Sequence, residues 1–572
     1  MTLVVARPLT PRRAAGQRHA LVATAHMRLM MLMMVFAAAV ALVIARLAML
    51  AIVAGPADEA ARIAMLAARG DVVDRNGAPL ARTIDAWTIA VHPRRLIGNP
   101  TDIAARLAAL MPDRGDQAWF YAQLTRHVNF AWLQQRASPA LVEQVNAIGE
   151  PGIVFARETQ RLYPQTTLAA HALGFLSTDG HGQSGMERVL DKALLDPASN
   201  ARPIELSLDT RVQAAMESEL ARAQTTFQAR GAAGLVLDVN TGEVVAMVSL
   251  PTYNPNRVGM AGVEQLRNIN TQSVYELGST FKPITVAAAI DNGVVTDMSR
   301  RFDATVPMKI GGFMIHDDRG DEQKRWLDIP ETLIYSSNIA TARIADEVGA
   351  TRMQAMFRKL GFADKPAIEL REKGRPLWPG YWARTTVMTT AYGHGIAVTP
   401  LHLAMAYAAL VNGGIWRPAT MLKVAPGHAD PGRRVISAAT SARMRQLLRM
   451  IVQLGTGRKG DAPGYRVGGK TGTAEAAVAG GYDHHRNVAT FAAAFPMDAP
   501  RYVVLAMLDS PIATKETFGF KTAAWNAAPV VGRVIARTGS MLGVVPDMNR
   551  DIDVSELIPL IWQGPKGKGL PE

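Results

Sequence analysis

The longest apolar run of the chain stands near its N-terminus. Leu29 to Ala45 holds 17 residues without a charge, and after Arg46 the stretch Leu47–Gly55 is apolar again. At about 1.5 Å rise per residue, a helix over this stretch crosses a hydrocarbon layer of roughly 30 Å. Arg46 would snorkel to one interface or face a partner helix, because an arginine at the bilayer centre is costly. Arg7, Arg12, Arg13, Arg18 and Arg28 precede the run with no acidic residue among them, and Asp58 and Glu59 follow it. That asymmetry predicts an N-terminus in the cytoplasm and a chain that lies outside from about residue 56. The run exceeds the 7–15-residue core of a cleaved signal peptide, which favours an uncleaved anchor. No later segment has the length and apolarity to span, so the pattern predicts a single crossing.

Beyond the anchor the pattern becomes short and irregular. Trp87–Val91 reads as a strand, Thr101–Met111 and Pro139–Ile148 as helices, and Asp74-Arg75-Asn76-Gly77 as a turn between short strands. From Gly231 the texture changes. Gly234–Val239, the turn Asn240-Thr241-Gly242 and Val244–Ser249 predict a hairpin of apolar strands. Ser279–Asp291 is helix-compatible, and Val488–Phe495 and Tyr502–Leu508 are two further strands of the buried type. Strands at both ends with helices between them predict one sheet closed by the two ends of a domain and packed by helices, an α+β architecture. The expected organisation is a basic cytoplasmic arm (1–28), a transmembrane helix (29–55), an irregular α+β module that reads as a spacer or docking unit (56–215) and a larger domain of sheet and helices (216–572). The Gly/Lys/Pro-rich end, Gln563–Glu572, is expected to fray.

Composition narrows the classes. The 572 residues are 48% hydrophobic and 19% charged, which suits two to four folded units. Cysteine is absent, which excludes disulfides, thiol catalysis and cysteine metal sites. The net charge of +13 is spread among acidic residues, without zinc-finger spacing or a long basic block. That favours a surface facing anionic lipid or an anionic polymer over nucleic acid. His484-His485 and the scattered histidines read as ordinary surface or core residues.

Three short motifs carry chemistry. In Ser279-Thr280-Phe281-Lys282 a hydroxyl and an amine share one helix face, with the serine at a helix N-terminus and Pro283 in the first turn, where proline is tolerated. A serine needs a base; Lys282 can serve only if neutral, which requires burial and a nearby cation, for which Lys470 is the candidate. In Ser336-Ser337-Asn338, the Ser336 hydroxyl could relay a proton and the Asn338 amide could hold a substrate backbone; the bland alternative is a helix cap. Lys470-Thr471-Gly472-Thr473 follows Gly468-Gly469. Its glycines allow close backbone approach, and Lys470, Thr471 and Thr473 could bind a terminal carboxylate. The backbone N–H groups of Thr473 and Ser279 could form an oxyanion hole. Alone, each motif has an ordinary explanation. Arg537-Thr538-Gly539-Ser540 imitates the third one in a helical context with no strand before it. Order, spacing and context together point to a serine acyl-transferase acting on a peptide that ends in a carboxylate.

At this point the chain resembles the penicillin-binding proteins. Tyr275–Pro283 and Val467–Ala474 are similar to the class B, transpeptidase-only branch, as are Arg69-Gly70, Asp74–Gly77, Arg161-Leu162-Tyr163-Pro164, Gly185-Met186-Glu187 and Gly393-His394-Gly395 with Val398-Thr399-Pro400. Within that branch it most resembles the division-specific FtsI type, with the elongation type as the close alternative. Leu277 departs from the proline that many relatives carry.

The resemblance implies a serine β-lactamase-like catalytic fold and a D,D-transpeptidase that cross-links peptidoglycan outside the cytoplasmic membrane. Ser279 would attack the carbonyl between the two terminal D-alanines of a stem peptide and Lys282 would take its proton. Ser336 would pass a proton to the departing D-alanine, and Lys470, Thr471 and Thr473 would hold the carboxylate. It implies β-lactams as acylating mimics and no metal or nucleotide cofactor. As partners it implies a SEDS-type, FtsW-like glycosyltransferase and other divisome membrane proteins. A scaffold role, a β-lactam sensor and a hydrolytic enzyme are the competing readings.

Overall fold

The computed structural model describes residues 12–53, 69–196, 198, 202–318, 320, 322–478 and 481–562. The tail Gln563–Glu572, part of the basic arm and the side chains of His484 and His485 lie outside the described residues. The chain divides into two compact units, Met1–Leu66 with Trp87–Thr159, and Ala67–Ala86 with Gln160–Glu572.

The first unit contains the helix Arg12–Val53. Its window His26–Arg46, mean hydropathy 2.4, is the one helix among the described residues long and apolar enough to cross a membrane. The rest of the unit pairs Trp87–Val91 with the strand Ala131–Ala137. Helices Pro100–Leu110, Gln117–Leu124 and Pro139–Asn146 pack around Ile89, Leu107, Phe120 and Leu133. Each helix begins as its sequence requires: the side chains of Asn99, Asp116 and Ser138 accept a first-turn N–H.

The second unit is built on a five-stranded antiparallel sheet in the order Gly468–Val478, Gly481–Phe495, Tyr502–Asp509, Gly231–Asp238, Val244–Leu250. Tyr502 pairs with Asp238 and Asp509 with Gly231, so the C-terminal strands close onto the N-terminal hairpin as the pattern predicts. Three of the strands are buried along their whole length, because helices cover both faces of the sheet. Helices Thr210–Thr226 and Ala527–Thr538 cover one face through Val212, Met216, Leu220, Val530 and Val534. The other face meets Phe281, Ile284 and the helix Pro400–Val411, all twelve residues of which are buried.

Three signatures scattered along the sequence meet in this unit. Glu187 is bridged by Arg69 and by Arg161, each Nε to one carboxylate oxygen at 2.7 Å, and Arg69 also reaches Asp191 at 2.8 Å. Asp74 organises the turn that Gly77 (φ +85°) allows, accepting the N–H groups of Asn76, Ala78 and Thr210. Burial raises its carboxyl pKa, but the hydrogen bonds from Thr210, Ala78 and Asn76 outweigh this and hold it below the usual range.

Candidate active site

Ser279 lies in a 3₁₀ turn, Gly278–Phe281, that leads directly into the helix Lys282–Asp291. In a 3₁₀ turn residues i and i+3 eclipse, which stacks Ser279 and Lys282 on one side. Pro283 occupies the helix start, where no intrahelical bond is lost. Gly278 is left-handed (φ +55°), and a Cβ there would stand 2.8 Å from the carbonyl oxygen of Thr473. From the far side Tyr407, fully buried, donates its hydroxyl to the carbonyl of Thr280 at 2.9 Å. The turn is thus held between the helix Pro400–Val411 and the lysine-bearing strand.

Lys282 is fully buried. Its Nζ donates to the Ser336 hydroxyl at 3.0 Å and to the Ser336 carbonyl. Ser336 follows the short helix Ile329–Ile334, whose start is a reciprocal capping box between Asp328 and Glu331. Burial, with the neighbouring Glu331 charge adding to it against the Glu331 N–H, pushes the Asp328 carboxyl up to about 7. Ser336 has φ +57°, a left-handed conformation that turns its carbonyl and hydroxyl together onto Lys282. The adjacent Ser337 has a different task. It caps the helix Asn338–Val348 by accepting the Ala340 N–H and donates to Asp317. Asn338 donates its amide to the carbonyl of His316 at 2.9 Å.

Gly468–Val478 is an edge strand: among the described residues it pairs with Gly481–Phe495 alone. Its outer edge is a template for an extended peptide. Lys470 is fully buried, and its Nζ donates to the Thr471 carbonyl at 3.0 Å and lies 3.4 Å from both the Thr471 and Thr456 hydroxyls. The Thr456 and Thr471 hydroxyls are 2.8 Å apart. The Thr473 hydroxyl accepts the Ala523 N–H at 3.1 Å. Gly472 has a packing reason of its own, since a Cβ there would come 2.3 Å from the carbonyl oxygen of Leu277.

The structure therefore brings Lys282 and Ser336 into hydrogen-bond contact and presses the Ser279 turn against Gly472 and Thr473. Lys470 and Thr471 group with Thr456, and Asn338 sits at the start of the helix after Ser336. Two participants were missed by the sequence reading. Thr456 stands in Gly455-Thr456-Gly457, a glycine-flanked hydroxyl that offered a weak signal. Asp317, in an irregular segment, offered none. At the rim, Glu276 accepts the Gly395 N–H at 3.0 Å and the Tyr482 hydroxyl at 3.1 Å. Burial first, then the Glu276 charge, raise the phenol pKa of Tyr482, and of Tyr392 to about 12. The imitation motif Arg537–Ser540 sits at the end of a helix on the opposite face of the sheet, where Arg537 pairs with Glu219 at 2.9 Å.

A buried amine bonded to the Ser336 hydroxyl, a serine-bearing turn packed on the strand that carries Lys470, and a strand edge left without a pairing partner among the described residues are an arrangement suited to acyl transfer through a serine ester. Comparison with known proteins agrees. The penicillin binding protein transpeptidase domain matches residues 232–531, and the penicillin-binding protein dimerisation domain matches residues 64–202. The probable peptidoglycan D,D-transpeptidase FtsI of Caulobacter vibrioides is 42% identical over 487 residues, covering 83% of this chain and 82% of its own. The peptidoglycan D,D-transpeptidase FtsI of Escherichia coli is 28% identical over 538 residues, covering 87% and 88%. The crystal structure of penicillin binding protein 3 from Mycobacterium tuberculosis complexed with aztreonam superposes with a TM-score of 0.65 at 27% identity, covering 84% of this chain and 97% of that one.

Proposed function

The chain belongs to the penicillin-binding proteins, in their class B branch, and we propose that Ser279 is the nucleophile of a peptidoglycan D,D-transpeptidase that works in cell division. Ser279 Oγ attacks the carbonyl between the terminal D-alanines of a stem peptide and gives its proton to Lys282. The N–H groups of Ser279 and Thr473 stabilise the oxyanion. As the C–N bond breaks, Ser336 passes a proton from Lys282 to the departing amine. Lys470, Thr471 and Thr473 hold the terminal carboxylate, Gly472 lets the strand approach, and Asn338 holds the substrate backbone. The amine of a neighbouring stem then attacks the serine ester, and the proton returns by the same route to free Ser279. β-Lactams acylate the same hydroxyl.

The observation that carries this reading is the bond from the buried Lys282 amine to the Ser336 hydroxyl. Similarity to the FtsI protein of Caulobacter vibrioides supports the division role. The apolar helix supports a single-pass membrane anchor. The five arginines before it support a cytoplasmic N-terminus with the catalytic part outside. A SEDS-type, FtsW-like glycosyltransferase and other divisome membrane proteins are the proposed partners. Intact-mass measurement of the full chain in detergent with benzylpenicillin, followed by peptide mapping, tests the chemistry. A stable adduct on Ser279, lost in Ser279→Ala while the thermal unfolding transition persists, is the expected result. An adduct on another residue sinks the assignment.

A further inference from the structure

A non-glycine residue keeps a left-handed backbone only where its surroundings over-determine it. Ser336 is such a residue, and Lys282 fixes it from one side. On the other side stands the helix Ile329–Ile334, six residues followed by Tyr335 and then by Ser336, which leaves the helical path. A helix this short holds no orientation by itself. Arg325 adds a polar hold to the packing of the helix's six buried residues. Its guanidinium donates to both oxygens of Glu331, at 2.6 and 2.7 Å, and lies over the Tyr335 ring, 5.5 Å from its centre. Glu331 is in the first turn and Tyr335 follows the last, so one cation spans the whole helix.

Arg325 is itself covered. The Trp562 ring lies 4.9 Å from its guanidinium, and the Trp562 backbone N–H donates to Glu331 at 2.8 Å. Trp562 is the last described residue of a C-terminal segment strapped along the helix Ala438–Leu454. Asp551 pairs with Arg449 at 2.7 Å, Glu556 pairs with Arg443, and the Asp553 carbonyl accepts from Gln446 at 2.8 Å. We propose that Arg325 and Trp562 are positioning residues for Ser336: the C-terminal segment latches the helix that delivers this hydroxyl to Lys282. The rate of acyl transfer therefore depends on contacts remote from the substrate. This rests on the reading of Ser336 as a proton relay.

The test uses the full chain in detergent and separates the binding constant of benzylpenicillin from the rate constant of acylation by adduct time courses. In Trp562→Ala the rate constant falls about fivefold, the loss of one cation–π contact, while the binding constant stays within about twofold. Trp562→Phe recovers most of the rate, since an aromatic face remains, and Arg325→Met loses more than Trp562→Ala. Ser336→Ala run alongside must itself slow acylation. If Ser336→Ala is slow and both latch variants acylate at the normal rate, the latch is wrong and the relay stands. If Ser336→Ala acylates normally, the relay reading fails and the proposal falls with it. A slow Trp562→Ala with no recovery in Trp562→Phe also overturns it.

Discussion

Gly472→Ala adds one methyl group where strand and nucleophile turn meet. Its Cβ would stand 2.3 Å from the Leu277 carbonyl oxygen, 2.8 Å from Thr280 Cγ2 and 3.0 Å from the Thr280 nitrogen. Two of these are backbone atoms of the turn that carries Ser279, so neither can swing aside as a side chain would. Restoring an ordinary contact of about 3.5 Å requires the strand and the turn to separate by roughly 1 Å. Overpacking of this kind costs about 1–3 kcal/mol, a minor fraction of the stability of a well-packed unit. The effect on rate is larger, because a displacement of about 1 Å among reacting groups costs on the order of 100-fold. The assay is the time course of the benzylpenicillin adduct by intact mass, beside thermal unfolding. The expected result is acylation slowed on the order of 100-fold with a cooperative transition lowered by only a few degrees. Gly259→Ala, where no atom lies within 4 Å of the added Cβ, is the matched control and should acylate normally. A Gly472→Ala protein that acylates within about threefold of the parent refutes the reasoning, since turn and strand would then not need their close contact.

Two further outcomes follow from buried charge. Glu187→Gln leaves the buried guanidinium groups of Arg69 and Arg161 without their shared carboxylate; a loss of about 3–5 kcal/mol in urea unfolding is expected, and a loss below about 1 kcal/mol contradicts it. Burial lowers the His402 imidazole to about 4, against the opposing hydrogen bonds to the Asp364 and Gly361 backbone. The unfolded chain takes up this proton near pH 6.5 and the folded chain only near 4, so the unfolded state binds more protons between them and stability falls as pH drops through that window. Between pH 7 and 5 the effect amounts to about 2 kcal/mol, and His402→Gln should make the decline in Tm over that window shallower; an unchanged slope refutes it.

Much of this protein was legible in its sequence because the signals are local. An apolar run of membrane length needs no tertiary partner to be recognised, and neither does the hairpin around Asn240-Thr241-Gly242 or a proline at a helix start. The strands Val488–Phe495 and Tyr502–Leu508 were readable because burial on both faces leaves them continuously apolar. The three motifs were readable because each holds its chemistry within four residues. Closure of the sheet followed from which strands needed partners.

Tertiary structure alone decided what depends on approach between distant segments. Ser336 and Ser337 are adjacent and chemically identical, yet a left-handed φ turns one onto Lys282 and an extended backbone makes the other a cap bonded to Asp317. Thr456 reaches Lys470 and Thr471, and Asp317 reaches Ser337, across loops whose sequence does not encode direction. Arg69, Arg161 and Glu187 stand apart along the chain and pair only after folding, with Asp191 as the second carboxylate beside Arg69. The glycine at 472 reads locally as freedom of the strand, but the need for it comes from the Leu277 carbonyl facing it. Residue identity set which chemistry was available here, and the packing of one backbone against another set which atoms can perform it.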